Sequence, residues 1–182
     1  MANTAQGLKL NFHYFSSSLG WILLAASSKG ICLLHFLGSS LPSPNHCETI
    51  LHQAFSDAEV FLYQKNQLLN KAEETILKYL ADRQPMPTLP LDMRCGTPFQ
   101  HQVWKSLCGI PFGSTRSYLQ VAQAIGKPKS SRAVGQACGK NLIPILIPCH
   151  RVVSAGGRLG GFSGGLHIKR ALLEIEEAPG FA

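Results

Sequence analysis

The six cysteines of this 182-residue chain, at positions 32, 47, 95, 108, 138 and 149, include no C-x-x-C pair. Their gaps are irregular, which argues against a zinc ribbon, a redox motif or a disulfide framework, and predicts mostly buried, reduced thiols. No stretch reaches the roughly 20 consecutive apolar residues that a membrane-crossing helix needs. The apolar run Trp21–Ala26 starts late and lacks a basic segment before it, so a β-hairpin explains it better than a signal peptide. Internal repeats and low-complexity tracts are absent. Acidic residues are scarce in one half only. Residues 1–90 hold six Lys/Arg and six Asp/Glu, whereas residues 91–182 hold eleven Lys/Arg against four Asp/Glu and so carry the whole net charge of +7. A neutral half joined to a basic half points to a polyanion as partner of the second, nucleic acid before membrane.

What is present is an ordinary globular composition, 45% apolar and 15% charged, and the reduced thiols are those expected of a protein of a reducing cytoplasm. Leu8–Phe15, Leu19–Ala26 and Gly30–Leu37 are short apolar or alternating runs parted by Ser, Gly and Lys, and predict three antiparallel strands. Pro42 and Pro44 break the chain. His46–Tyr63 has mixed helical spacing, and Leu68–Ala81 reads as an amphipathic helix with Leu68, Leu69, Ala72, Ile76, Leu77 and Leu80 on one side. Pro85, Pro87 and Pro90 mark a linker where the charge balance changes, which predicts domains at 1–90 and 91–182.

Beyond the linker, Thr97-Pro98 predicts an N-cap and first residue of a helix through Val103, Trp104 and Leu107. A second helix fits Tyr118–Ile125 and ends at Gly126. Ser131 is placed to cap a third, through Arg132, Val134, Ala137 and Cys138. Two short helices joined by a Gly-containing turn, the second with Arg near its start, match a helix-turn-helix pattern, although such pairs also occur in proteins that never touch DNA. The apolar run Ile143–Ile147 leads into Pro148-Cys149-His150-Arg151. Six glycines then fall between 156 and 165, either for close approach to a ligand or as a loop. A last helix is expected from Leu166 to Glu177.

Cys149 is the one cysteine in a setting that suggests chemistry. Thiolate is the reactive form, and a free thiol with pKa near about 8.5 is only slightly ionised at neutral pH, so a base or a positive charge must assist. Taken alone, a Cys-His pair is weak evidence, and a structural thiol remains open.

Ile147-Pro148-Cys149-His150-Arg151-Val152 resembles the signature of the O6-alkylguanine-DNA alkyltransferases, the methylated-DNA–protein-cysteine methyltransferases. Phe99-Gln100-His101-Gln102-Val103-Trp104, Ser117-Tyr118, Ser131-Arg132-Ala133-Val134, Asn141, Ser163-Gly164-Gly165 and Leu172-Leu173 follow the family's order and spacing. The resemblance covers about residues 90–177; the first half is similar only in its strand-then-helix plan. It implies an α/β protein: an antiparallel three-stranded sheet with helices, ribonuclease-H-like, then a mainly helical, winged-helix-like domain. It further implies Cys149 as the nucleophile, His150 as the base acting through a water, Glu176 as the group orienting that histidine, and Asn141 tying the active-site turn to the helix-turn-helix. Tyr118 would act at the damaged base and its phosphate, and Arg132 would fill the gap in the base stack. Ser131, Ala133 and Gly135, with Ala137, would approach the minor groove. Val152, Ser163, Phe162 and Pro144 would line the pocket for the flipped guanine. Phe162 stands where many members have Tyr. The expected partner is double-stranded DNA containing O6-alkylguanine, met by a monomer, with no membrane, no cofactor and no metal; a cluster of Cys32, His35, His46 and Cys47 is weighed and set aside. A non-catalytic damage sensor would carry another residue at 149, typically Trp. A regulator would need a further module, and a cysteine hydrolase an oxyanion hole and a remote His that nothing here selects.

Overall fold

The structure, a computed structural model, describes residues 7–62 and 66–181. The chain is α/β. The first three runs form strands as expected: β1 (Lys9–Ser17), β2 (Gly20–Ser27) and β3 (Gly30–Gly38), each antiparallel to the next. The sheet nevertheless has four strands, not three. Helix α1 (Pro44–Ala54), capped by the Ser43 side chain, stops well before Tyr63, and Glu59–Leu62 forms β4, which pairs parallel with β1. The order β3-β2-β1-β4 puts β2 inside the sheet. Ile22 through Ser27 are buried without a break, the pattern of a strand covered on both faces. Gly20 begins β2 with φ of 92°, and a Cβ there would lie 2.5 Å from the Gly38 carbonyl oxygen, so this corner admits no larger residue.

Helix α2 (Gln67–Asp82) is the amphipathic helix predicted for 68–81. Leu69, Ala72, Ile76 and Leu80 are buried; Leu68 and Leu77 are only half-buried, and Tyr79 takes a fully buried position instead. Two compact units emerge without a single cut between them. One runs to Glu74 and also takes Thr88–Asp92; the other comprises Thr75–Pro87 together with Met93 onward. In the first unit, Leu91 bridges to Ile31, and Ser27 Oγ donates to Asp92 Oδ2 at 2.5 Å. These bonds attach the proline-rich segment to the sheet. Cys32 and Cys47 are buried in this unit while His35 and His46 are exposed, and among the described residues no three His, Cys, Asp or Glu side chains gather as metal ligands.

In the second unit α3 (Pro98–Cys108) opens with a capping box, Thr97 and Gln100 each bonding the other's backbone N–H. Helix α4 (Tyr118–Ala124) is opened the same way by Ser117 and Gln120. The turn at Gly126, with φ of 71°, leads to α5 (Ser131–Gly139). Ser131 is the first residue of α5 rather than its cap; the cap position falls on Ser130, whose side chain makes no capping bond. The two-residue strands β5 (Arg116–Ser117) and β6 (Val152–Val153) pair in parallel, which sets the start of α4 beside the segment that follows Cys149. Helix α6 (Leu166–Ile175) is two residues shorter than expected and leaves Glu176 at its C-cap. None of the described helices is long and apolar enough to cross a membrane.

Trp104 ties this unit together. Its indole N–H donates to the Ala137 carbonyl of α5 at 2.9 Å, and its ring fills the space over Gly96, where a Cβ would lie 2.6 Å from it. Ala137 is thereby buried in the protein and not on a groove-facing surface. Trp104→Phe is expected to lower stability by about 2–4 kcal/mol, combining a buried carbonyl without its donor and a partly empty ring site. Urea unfolding at fixed pH measures it.

Candidate active site

Cys149 follows Pro148 and begins a 3-10 turn, Cys149–Arg151, that leads directly into β6. The thiol is 3% exposed. Asn141, two residues beyond the end of α5, holds it. The Asn141 side-chain amide donates to Cys149 Sγ at 3.2 Å and to the Ile147 carbonyl at 2.9 Å, while its oxygen accepts from the Ile143 N–H at 3.0 Å. One side chain thus fixes both ends of the 141–149 segment. Ile145 within it has φ of 68°, a conformation a β-branched residue adopts only when its surroundings impose it. Burial pushes the Cys149 thiol up to about 11, against the smaller opposing effects of the Asn141 hydrogen bond and of Lys169. The thiol is therefore protonated at rest.

His150 and Arg151 turn to a single carboxylate. Glu176 is 1% exposed, unlike its exposed neighbours Glu174 and Glu177. His150 Nε2 lies 2.9 Å from Glu176 Oε1. Arg151 donates from Nε to both oxygens, at 3.2 and 3.0 Å, and from Nη2 to Oε1 at 2.9 Å; its Nη1 reaches the Ile110 carbonyl at 2.6 Å. Tyr79 Oη donates to Oε1 at 2.6 Å, and the Gly113 N–H to Oε2 at 3.2 Å. Burial alone would raise the Glu176 pKa, but the hydrogen bond and charge of His150 and the donors Arg151 and Tyr79 hold it at about 2. An ionised carboxylate only accepts, so His150 Nε2 carries the proton of that contact. Burial pushes the His150 pKa down, against the pull of Glu176 and with the help of Arg151 and Lys169. The ring is neutral, with the lone pair on Nδ1, a buried atom without a hydrogen-bond partner among the described residues.

The remaining sequence-predicted residues differ in burial and contacts. Tyr118, half-buried at the start of α4, packs against Gly135 of α5, where a Cβ would lie 3.6 Å from its ring, and against Gly160 of the glycine-rich loop, where a Cβ would lie 2.7 Å from its hydroxyl. Gly160 therefore has a reason to be glycine beyond loop flexibility. Burial raises the Tyr118 pKa, with smaller contributions from Cys138 and Cys149, and keeps the phenol protonated. Val152 and Pro144 are buried, Phe162 is half-buried and Ser163 exposed; Arg132 is exposed on α5, beside half-buried Ser131 and Ala133. Sequence reasoning missed Tyr79, Gly113, the role of Arg151 and Lys169. The last is fully buried on α6, and its ammonium donates to the Val152 carbonyl at 2.5 Å and the Gly161 carbonyl at 3.4 Å, which fastens the glycine-rich loop to β6. The apolar positions 168, 172 and 173 of the same helix gave the only hint that 169 also faces inward.

The depressed Glu176 pKa has a stability consequence of fixed sign. A carboxyl held below its ordinary 4.5 contributes stability above that pH and loses it as pH falls towards about 2. Glu176→Gln should cost about 3–5 kcal/mol near neutrality, because Arg151 stays buried without its counter-charge. The variant should also lose part of the wild type's acid-induced destabilisation between those two values. Urea midpoints measured from pH 7 down to pH 3 test both.

The chain is similar to proteins of known family. The family model for the DNA-binding domain of 6-O-methylguanine DNA methyltransferase matches residues 98–178. A methylated-DNA–protein-cysteine methyltransferase of Mycobacterium tuberculosis is 56% identical over 88 residues, 48% of this chain, and the matched segment spans about half (53%) of that relative's length. The enzyme of the same name from Methanosarcina barkeri is 37% identical over 166 residues, covering 91% of this chain and 96% of its own. In structure, the chain resembles Mycobacterium tuberculosis OGT crystallised in complex with DNA, with a TM-score of 0.73, 35% identity, and coverage of 94% of this chain and 96% of that one. With the Cys149–Asn141 and His150–Glu176 contacts falling inside the matched segment, the chain belongs to the methylated-DNA–protein-cysteine methyltransferase family.

Proposed function

We propose that this protein repairs alkylated duplex DNA by moving the alkyl group of O6-alkylguanine, and of O4-alkylthymine, irreversibly onto its own Cys149. The observation that carries the reading is the buried thiol held by Asn141, one residue from a neutral imidazole fixed by a buried carboxylate. A thiol raised to about 11 needs a base, and His150 Nδ1 has a free lone pair. Through a water, His150 takes the Cys149 proton. The thiolate forms a bond to the alkyl carbon as the carbon–O6 bond breaks, and that electron pair leaves with guanine. Tyr118 then protonates the departing base and is reprotonated from the solvent side. The resulting imidazolium is stabilised by Glu176, as in other base–carboxylate pairs. A thioether has no leaving thiol, so each molecule acts once. The alkyl group comes from the DNA and no cofactor enters.

In this reading the second unit, near the predicted 91–182, holds both the DNA-binding and the reacting groups in a winged-helix-like arrangement. The first unit, near 1–90, is ribonuclease-H-like in the same reading. Helix α5 enters the minor groove, Arg132 occupies the space of the extruded nucleotide, and Ser131, Ala133 and Gly135 line the approach. Val152, Ser163, Phe162 and Pro144 bound the pocket. Of the eleven cations of residues 91–182, Arg151 and Lys169 are buried and nine are exposed. The protein acts as a cytoplasmic monomer.

Intact-mass spectrometry after mixing with a duplex bearing one O6-methylguanine tests the chemistry. One adduct of about 14 Da, the replacement of a thiol hydrogen by methyl, should map to Cys149 and vanish in Cys149→Ala. An unmodified wild-type protein that still binds the duplex would overturn the reading. Arg132→Ala should slow repair of duplex DNA by about tenfold or more, reflecting the few kcal/mol of base extrusion, and slow repair of single-stranded substrate much less. Equal rates on duplex would remove Arg132 from its assigned place.

A further inference from the structure

The oxygen of Glu176 that bonds His150 is crowded. Oε1 accepts from Tyr79 Oη at 2.6 Å, from His150 Nε2 at 2.9 Å and from Arg151 Nη2 at 2.9 Å, while Oε2 receives only Arg151 Nε at 3.0 Å and the Gly113 N–H at 3.2 Å. Tyr79 is the shortest of these donors. It comes from the last turns of α2, 97 residues away in sequence, and is 2% exposed. Its ring stands edge-on to Phe112, 6.0 Å between centroids, beside the Gly113 N–H. Burial and the neighbouring carboxylate raise the phenol's pKa, so it remains a donor throughout the accessible pH range.

A carboxylate oxygen has about two lone pairs, and donors sharing it compete for the same electron density. We propose that Tyr79 is a positioning residue for the alkyl transfer, donating to the Glu176 oxygen that also accepts from His150, and so fixing the imidazole and limiting its basicity. The inference rests on the alkyl-transfer reading given above. The groups facing His150 are Glu176 at the end of α6, Lys169 within α6, and Arg151 in its own turn, with Tyr79 reaching it only through Glu176. Among them Glu176 alone raises the histidine's affinity for a proton, and Tyr79 moderates that pull. With the hydroxyl present, His150 stays neutral to lower pH, and Nδ1 stays open for the Cys149 proton. Without it, Glu176 binds the imidazolium more tightly and the histidine is protonated, and useless as a base, at higher pH.

Tyr79→Phe isolates the hydroxyl, because the ring and its contact with Phe112 remain; Tyr79→Leu removes both. Two readouts are needed. Nitrogen-15 NMR of the His150 ring in the DNA-free proteins reports its protonation directly, and single-turnover alkyl transfer from an O6-methylguanine duplex reports the acid limb of the rate profile. In both variants the His150 midpoint and the acid limb should move to higher pH by about half a unit or more. Affinity for undamaged duplex should stay within about twofold of wild type, and only Tyr79→Leu should melt at markedly lower temperature. Identical His150 spectra and identical acid limbs in wild type and Tyr79→Phe would overturn the proposal, whatever happens to stability. Absence of a Cys149 adduct in the wild type would instead overturn the reading it rests on, and the NMR comparison, which needs no DNA, separates the two failures.

Discussion

A carboxylate with 1% of its surface in contact with water is the constraint around which the second unit is organised. Left alone, such a charge would take up a proton, since an unpaired ion in a low-dielectric interior costs several kcal/mol. Glu176 escapes this because a guanidinium, an imidazole, a phenol and a backbone N–H converge on it. The four donors come from three separate stretches of chain. Arg151 and His150 bring the turn after Cys149, Gly113 brings the loop before α4, and Tyr79 brings the end of α2. Satisfying one charge thus fixes the relative positions of the turn that carries Cys149 and His150, the loop that leads to α4, and the end of α2.

Gly113 illustrates how tight this is. Its φ of 71° is one that side-chain-bearing residues rarely hold, and a Cβ would come within 3.0 Å of the Glu176 carbonyl oxygen. Position 113 is therefore closed to other residues on two counts, backbone conformation and space. The loop from Ile110 to Ser114 is short and unremarkable in sequence, yet it contributes the Ile110 carbonyl to Arg151 and the Gly113 N–H to Glu176. Both are backbone groups, which no side-chain pattern announces.

Much of the fold was legible because local signals agreed with the final packing. The first three strands follow alternating or apolar runs, and Thr97-Pro98 and Ser117 open helices by side-chain capping that depends on residues three positions apart. Strand β4 was not legible. Glu59–Leu62 is four residues long, is mostly exposed, and gains its conformation from parallel pairing with β1, a contact made about fifty residues back along the chain. Cys149, His150, Asn141 and Glu176 were picked out through motif resemblance; physical reasoning from the sequence alone left Cys149 open as a structural thiol. Tyr79 was hidden because an aromatic within the apolar side of α2 reads as packing, and its partner is remote in sequence. Lys169 and Arg151 were counted with the basic charge of the second half, although both turn inward.

The raised pKa of Cys149 has a bearing on how such a protein persists in a cell. A molecule that reacts once is lost to any electrophile or oxidant that reaches it first, and reactivity towards these follows thiolate content and exposure. At about 11, with 3% of the residue exposed, Cys149 is almost wholly un-ionised near neutral pH. Exposed Cys108 meets solvent far more readily. In the proposed reaction, chemical dormancy between lesions is thus built into the same burial that makes the Cys149 thiol dependent on a base, so shelf life and selectivity have one structural origin.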